Sequence, residues 1–441
     1  MRFLGLLSAA LLFAGLAHAQ PQAPREWVDA KTKHRIVRIS TAPGMASLYF
    51  NENAFTPQGD LMAISTAEGI AAVDLKTWAI RPIVSGERLR LLFTGRKNRT
   101  VYYTRADITP PGASAGSGAG ARMTQVWVAD MDTGKTRMIA EVRGGIAALN
   151  ADETLLAGVR AERDMPLQPG GSRAAAANFG QAAYAANGPD GKPLTFAEAK
   201  EVRLNDRLEA KIPMEIFTIN IATGERKTVR RATDWLNHLQ FSPTDPNLLM
   251  FCHEGVWHKV DRIWTIRTDG TQLTKIHTRT MNMEIAGHEW WSPDGKTIWY
   301  DLQTPRGEVF WVAGYDMETQ KRRWYALDRN EWSVHFNISP DQKLFAGDGG
   351  DSEMVAHAPD GKWIYLFRPR GIPDVAGIRA PNAESLIAPG RFDSEKLVDM
   401  SKHDYRLEPN VHFTPDGKWL IFRSNMEGVP HIYAVELAPA Q

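Results

Sequence analysis

Four histidines stand where a β-turn has no use for them. His238 occurs in TDWLNHLQFSP, His288 in AGHEWWSPDG, His335 in EWSVHFNISPD and His412 in EPNVHFTPDG. Each lies a few residues ahead of a Ser/Thr-Pro turn, and such turns need proline, aspartate and glycine, not imidazole. One histidine so placed reads as a satisfied core or turn-capping residue. Four at equivalent places in successive units point to a shared site, and imidazoles gathered with carboxylates suit a divalent transition metal or acid–base work.

A second cluster, FCHEGVWHKVDRIW (residues 251–264), carries His253, Glu254, His258, Asp261 and Arg262 between two strand-like runs. An arginine closing such a loop reads as a grip on an anion, because guanidinium holds a carboxylate through two parallel hydrogen bonds. The alternative is a solvated loop closed by its own ion pairs. His238, His253, Glu254 and Arg262 are the candidate substrate contacts. A third cluster, HDYRLEPNVHFTPDG (residues 403–417), holds His403, Asp404, Arg406, Glu408, Asn410 and His412. Either it is a long polar connection, or Glu408 and His412 share a metal with His335. The stretch FAGDGGD (residues 345–351), with Asp348 and Asp351, reads as a turn rather than a site.

The elements that must position these groups form a repeat. A hydrophobic residue, a Pro-Asp-Gly-like turn and an apolar strand recur from Phe55, Phe93, Leu149, Phe241, Trp291, Ile338 and Phe413. Proline presets φ and Asp and Gly close the turn, so each unit is a β-hairpin. Most are followed by a second hairpin, as in VWVADMDTGKTRMI and IFTINIATGERKTV. Four short strands per unit is one propeller blade, and seven units predict an all-β, seven-bladed β-propeller. A pair of β-sandwiches would leave the repeated turn unexplained. Innermost strands line the central channel, so histidines ahead of the turns can converge there. The spacing leaves insertions near residues 106–125 and 160–210. The first is Gly/Ala/Ser-rich, and the second includes LTFAEAKEVRLNDRLEAK (residues 194–211), which suits a short helix. A further excess falls between Gly371 and Ser401. Such loops serve as lids or rims, or lack structure.

The N-terminal MRFLGLLSAALLFAGLAHAQ has a positive n-region, an apolar core and an Ala-His-Ala cleavage pattern. It reads as a signal peptide cut after Ala19, with an N-terminal anchor as the alternative. That leaves residues 20–441 as one exported domain, periplasmic or secreted, with no membrane span in the mature chain. The single cysteine, Cys252, permits no internal disulfide. A formal charge of +1, zero once Arg2 is lost with the leader, argues against nucleic acid as a partner and leaves room for a small acidic ligand at a local basic site.

Taken in order, CHEG…VWHKVDRIW, GHEWWSPDGKTIWYDL, SVHFN…LFAGDGGD and NVHFTPDGKWLIF resemble the oligogalacturonate lyases, over about Ile216 to Leu437. The resemblance implies a seven-bladed propeller and β-elimination on short α-1,4-linked galacturonates, aided by a divalent metal, Mn²⁺ in most members. It implies His288 as base, Arg262 on substrate and His335 on the metal. The chain departs from the family pattern in two places. Tyr405-Arg-Leu-Glu408 stands where the best-known members carry Gln-x-x-His, and VELAPAQ ends the chain where they carry a metal-binding histidine. The expected metal set here is His335, Glu408 and His412. Chemically, the proton to remove is on C5, α to a carboxylate. A metal and an arginine on that carboxylate stabilise the enediolate, and a neutral histidine is a suitable base. Glu289 or a neighbouring tryptophan is the candidate to orient His288. Two rival readings remain: a lyase on another uronate polymer, and a non-catalytic envelope propeller with TolB-type repeats, in which the channel histidines would have no role. A peptidase propeller is disfavoured because no Gly-x-Ser-x-Gly follows the last unit.

Overall fold

The computed structural model describes residues 25–106, 123–163, 186–194, 196–352, 354 and 357–440. The expected signal peptide, the Gly/Ala/Ser-rich loop and most of residues 168–192 lie outside them. Among the described residues the strands form seven antiparallel blades. Each of the seven repeat turns follows the innermost strand of one blade, as the sequence pattern predicts. The inner strands of blades 2 to 7 are Leu89–Thr94, Gly145–Leu149, Trp235–Phe241, Ile285–Trp291, Phe336–Ile338 and His412–Phe413. In blade 1 the inner position is reduced to two bridges, Ala46 with Ser65 and Phe55 with Met62, beside Leu61–Thr66.

The turns explain their own sequence. In Trp291-Ser-Pro-Asp-Gly-Lys the Ser292 hydroxyl donates to Asp294 at 2.6 Å and accepts from Thr297 N at 2.9 Å, while Gly295 takes φ +68°. Ser339 with Asp341, and Thr414 with Asp416, repeat this wiring. One Ser/Thr-x-Asp set thus holds three separate hairpins.

The ring closes by sharing strands between the chain ends. Blade 7 is built from His412–Phe413, Trp419–Ser424 and His431–Pro439, and then from the N-terminal strands His34–Arg38 and Arg25–Val28. Aromatic side chains fill the seam between blades 5 and 6, where Trp299, Tyr325, Phe345, Phe367 and Phe392 pack together. The excess between Gly371 and Ser401 is a long hairpin, Trp363–Gly371 with Ala388–Asp399. Its second strand also pairs in parallel with Arg322–Leu327 of blade 5. The helix expected in residues 194–211 is present as α1, Phe196–Glu209. Leu204 and Leu208 are buried, Lys259 bonds Asn205 at 2.9 Å, and Lys200 lies over the Trp257 ring, so the helix sits against the loop after Glu254. Among the described residues no helix is long and apolar enough to cross a membrane.

Two outcomes follow from this architecture. Val37 is wholly buried in the N-terminal strand that completes blade 7. Val37→Asp puts an unpaired charge there and is expected to lower stability by about 3 kcal/mol or more; an unchanged thermal midpoint would show that the closure does not hold the ring. His403 is buried between the Ser424 hydroxyl (2.9 Å) and the Leu407 carbonyl (2.8 Å), and burial pushes it down to about 4 from 6.5. Between those values the unfolded chain binds a proton that the folded chain does not. Stability contributed by neutral His403 is therefore present above pH 6.5 and lost as pH falls towards 4. Urea titrations at pH 7 and pH 4.5 should show a shallower loss in His403→Gln; the same slope as the parent would sink this assignment.

Candidate active site

The inner strands of blades 4 and 5 are each interrupted by a bulge, and a histidine sits in each interruption. Pairing in blade 4 runs to Asn237–Cys252 and resumes at Gln240–Met250. In blade 5 it runs to Gly287–Asp301 and resumes at Trp290–Trp299. His238 and His288 take φ of 47° and 43° there. Such left-handed values cost a non-glycine residue about 1–2 kcal/mol. What the bulge gives in return is direction: it turns a side chain that would follow the pleat. Blades 2 and 3 carry a similar irregularity without a histidine. Both histidines line a channel cavity of about 1210 Å³, together with Arg262, Glu254, Glu408 and His412.

His288 Nδ1 lies 3.3 Å from Asp301 Oδ2, so the carboxylate fixes the ring and leaves Nε2 to the cavity. A Cβ on Gly287 would meet Asp301 Oδ1 at 2.9 Å, which is why glycine precedes the histidine. Asp301 does the orienting that the sequence reading gave to Glu289 or a tryptophan. Glu289 points to Arg262 instead, and Trp290 and Trp291 are buried in the core.

Arg262 is buried between two carboxylates. Its Nε donates to Glu289 Oε2 and its Nη1 to Glu254 Oε1, both at 3.1 Å. Glu254 Oε2 also faces His238 Nε2 at 3.2 Å and accepts from Asn237 at 3.2 Å. Against the penalty of burial, Arg262 and then His238 hold the Glu254 carboxyl well below the usual range. Glu254, expected to touch substrate, is thus committed as a counter-ion to Arg262. His253, also expected to touch substrate, does not line the cavity; its Nε2 faces Asp234 at 3.7 Å.

His335 is fully buried. Its Nδ1 donates to Asp348 Oδ2 at 2.8 Å, and its backbone N donates to Oδ1 of the same carboxylate at 2.8 Å. Its Nε2 faces the Tyr49 hydroxyl at 3.1 Å and Glu408 Oε2 at 3.8 Å, and its ring lies 4.8 Å from that of His288, edge-on. Burial works against protonation, yet Asp348 holds His335 above its ordinary value. Asp348 was expected to be part of a turn; it is wholly buried and is the partner of His335. His412 stands apart. Its Nδ1 donates to the Asn410 carbonyl at 3.1 Å, its Nε2 has no partner, and burial pushes it down to about 4. Among the described residues no three His, Cys, Asp or Glu side chains gather as a metal requires, so the expected set of His335, Glu408 and His412 is not assembled. His335 and Glu408 come together; His412 does not join them. Sequence reasoning missed Tyr49 and Asp301. Asp301 did leave a signal, a lone carboxylate inside the apolar run TIWYDL.

A family profile described as oligogalacturonate lyase matches residues 190–440. The oligogalacturonide lyase of Pectobacterium atrosepticum is 27% identical over 229 residues, covering 50% of this chain and 55% of that protein. The oligogalacturonate lyase of Dickeya dadantii is 26% identical over 233 residues, with the same coverage of 50% and 55%. The chain spans about half the length of the curated relatives it matches. Two solved structures share the fold over nearly the whole chain. One is an oligogalacturonate lyase in complex with manganese (TM-score 0.68, 21% identity, 95% of this chain and 97% of that one). The other is the oligogalacturonate lyase of Vibrio parahaemolyticus (TM-score 0.67, 19% identity, 95% and 98%). With the profile matching more than half its length, and with the histidine, the arginine and the propeller that the motifs imply, the chain belongs to the oligogalacturonate lyase family.

Proposed function

We propose that the channel performs β-elimination on short α-1,4-linked galacturonate oligomers from pectin, giving 4,5-unsaturated uronates. The observation that carries this reading is the His288–Asp301 couple opening into the cavity that Arg262 also lines. Asp301 fixes Nδ1 and stabilises the charge that forms when Nε2 takes the C5 proton. Arg262 is held in one plane by Glu254 and Glu289. Among the described residues its Nη2 makes no hydrogen bond, which leaves it for the C6 carboxylate as charge develops. The bond from C4 to its oxygen then breaks, and the departing oxygen takes a proton from the His288 imidazolium or from water.

The manganese bound by the solved relative bears on this chain through His335. A carboxylate behind Nδ1 is the support that metal-bound histidines carry, and Glu408 adds an oxygen donor of the kind manganese favours. His335 and Glu408 would therefore hold a divalent cation between them, and His412 lines the same cavity with its Nε2 unpartnered. Bound there, the cation would supply Lewis-acid stabilisation of the negative charge. The signal-peptide pattern in residues 1–19 of the sequence favours a periplasmic or secreted site of action, where the protein would meet oligomers before import. A lyase on another uronate polymer is the second reading, favoured by Tyr405 and Glu408 at the positions where the family pattern has glutamine and histidine.

Incubation with di- and trigalacturonate should raise ultraviolet absorbance from a conjugated 4,5-double bond. His288→Ala is expected to abolish the rise, and Asp301→Asn to slow it about a hundred-fold or more. No rise with any galacturonate, from folded and manganese-loaded protein, would overturn the substrate assignment. Chelation should remove activity and Mn²⁺ restore it, whereas His335→Ala should stay inactive at any Mn²⁺ concentration. Full activity after exhaustive chelation would show that no metal is needed.

A further inference from the structure

The channel wall across from Arg262 carries arginines that form no ion pair among the described residues. Arg423 lies on the blade 7 strand Trp419–Ser424. Its Nη2 donates to the Glu408 carbonyl at 3.0 Å, and its Nε is buried without a partner. Arg90, on the inner strand of blade 2, and Arg96, just beyond that strand, face the same cavity. Among the described residues none of the three forms an ion pair, while Arg262 forms two. Burial pushes both Arg423 and Arg96 below their ordinary value. Glu408 and Asp348 act on Arg423 from a distance without forming an ion pair, and Glu52, the carboxyl with which Arg90 and Arg423 both interact, is raised to about 7 by its own burial, so it is a poor permanent counter-ion. Arg90 is exposed and free to move to a ligand, whereas the desolvated Arg423 guanidinium is costly unless an anion satisfies it.

The ring order makes this arrangement specific. Blades 7 and 2 flank blade 1, and blade 1 lies across the channel from blades 4 and 5, which carry Arg262 and His288. The cavity, about 1210 Å³, also exceeds the roughly 300–1,000 Å³ of single small-ligand pockets. Resting on the galacturonate reading above, we infer that Arg423 and Arg90 form a second carboxylate subsite. The channel then grips two uronate residues of one oligomer, one at Arg262 beside the base and another across the channel. Free acids are its ligands, and methyl-esterified oligomers are not.

Calorimetry on His288→Ala protein, which binds oligomer without turning it over, tests the subsite. Trigalacturonate should bind at least about ten-fold more tightly than its methyl ester. Arg423→Gln and Arg90→Gln should each weaken trigalacturonate about ten- to a hundred-fold, leave the ester unchanged, and melt like the parent. Arg423→Lys should recover part of the affinity by restoring the charge. Unchanged trigalacturonate affinity in both glutamine variants would overturn the subsite. Turnover by the wild-type protein judges the lyase reading separately. Turnover with affinity indifferent to Arg423 and Arg90 removes the subsite alone. Arginine-dependent binding without turnover keeps the subsite and removes the lyase. Neither binding nor turnover of any galacturonate removes both.

Discussion

The channel is organised around one buried cation. Arg262 lies between Glu254, at the end of a blade 4 strand, and Glu289, on the inner strand of blade 5. All three side chains are buried, so each charge is tolerable only with its partners in place, and losing one partner of such a group costs about 3–5 kcal/mol. Two carboxylates on one guanidinium leave a surplus of negative charge, which His238 and Asn237 share at Glu254. Gln240 of blade 4 adds a 2.7 Å bond to the Glu289 carbonyl. The arginine therefore ties blade 4 to blade 5 while presenting one nitrogen to the cavity. A guanidinium fixed in this way loses little freedom when a carboxylate binds it.

The same two blades store strain at the residues that point into the channel, His238 and His288. A strand without the bulge would turn His288 with the pleat, and the left-handed residue is the cost of aiming it. Gly287 removes the one Cβ that would displace Asp301, and Asp301 then fixes the imidazole. Backbone irregularity, a missing side chain and a carboxylate on the neighbouring strand thus act on one ring nitrogen. None of them touches substrate, which is why they are as decisive for geometry as the histidine itself.

How much of this could be read from the chain depends on how local each interaction is. The blade count was legible because a Ser/Thr-Pro-Asp-Gly turn is wired within six residues, as Ser292, Asp294 and Thr297 show. The histidines were legible because they sit at fixed offsets from those turns. Their partners were not. Asp301 meets His288 across a strand pair, Asp348 meets His335 thirteen residues away, and Tyr49 reaches His335 from 286 residues away. His412 misled for the same reason: its offset matches the others, but its Nδ1 is turned onto its own loop at Asn410. Glu254 stands in an ionisable loop and so reads as a ligand contact; only the fold shows that its charge is already taken.

The departure from the family pattern at Tyr405 acquires a meaning in that network. Asp348 accepts from His335 N, His335 Nδ1 and Asn410 N, and its backbone carbonyl accepts from the Tyr405 hydroxyl at 3.0 Å. A residue that family resemblance would make a donor to the site is instead a prop beneath the carboxylate that holds His335. Tyr405 is buried, and burial raises its phenol well above the ordinary value, so it stays a neutral donor. Among these groups His335 is the one whose free nitrogen faces the Tyr49 hydroxyl and Glu408. The seam between blades 6 and 7 is therefore a polar network in which His335 Nε2 faces Glu408 and Arg423 donates to the Glu408 carbonyl. Glu408, whose side chain is 46% exposed, completes that network without being fixed by it.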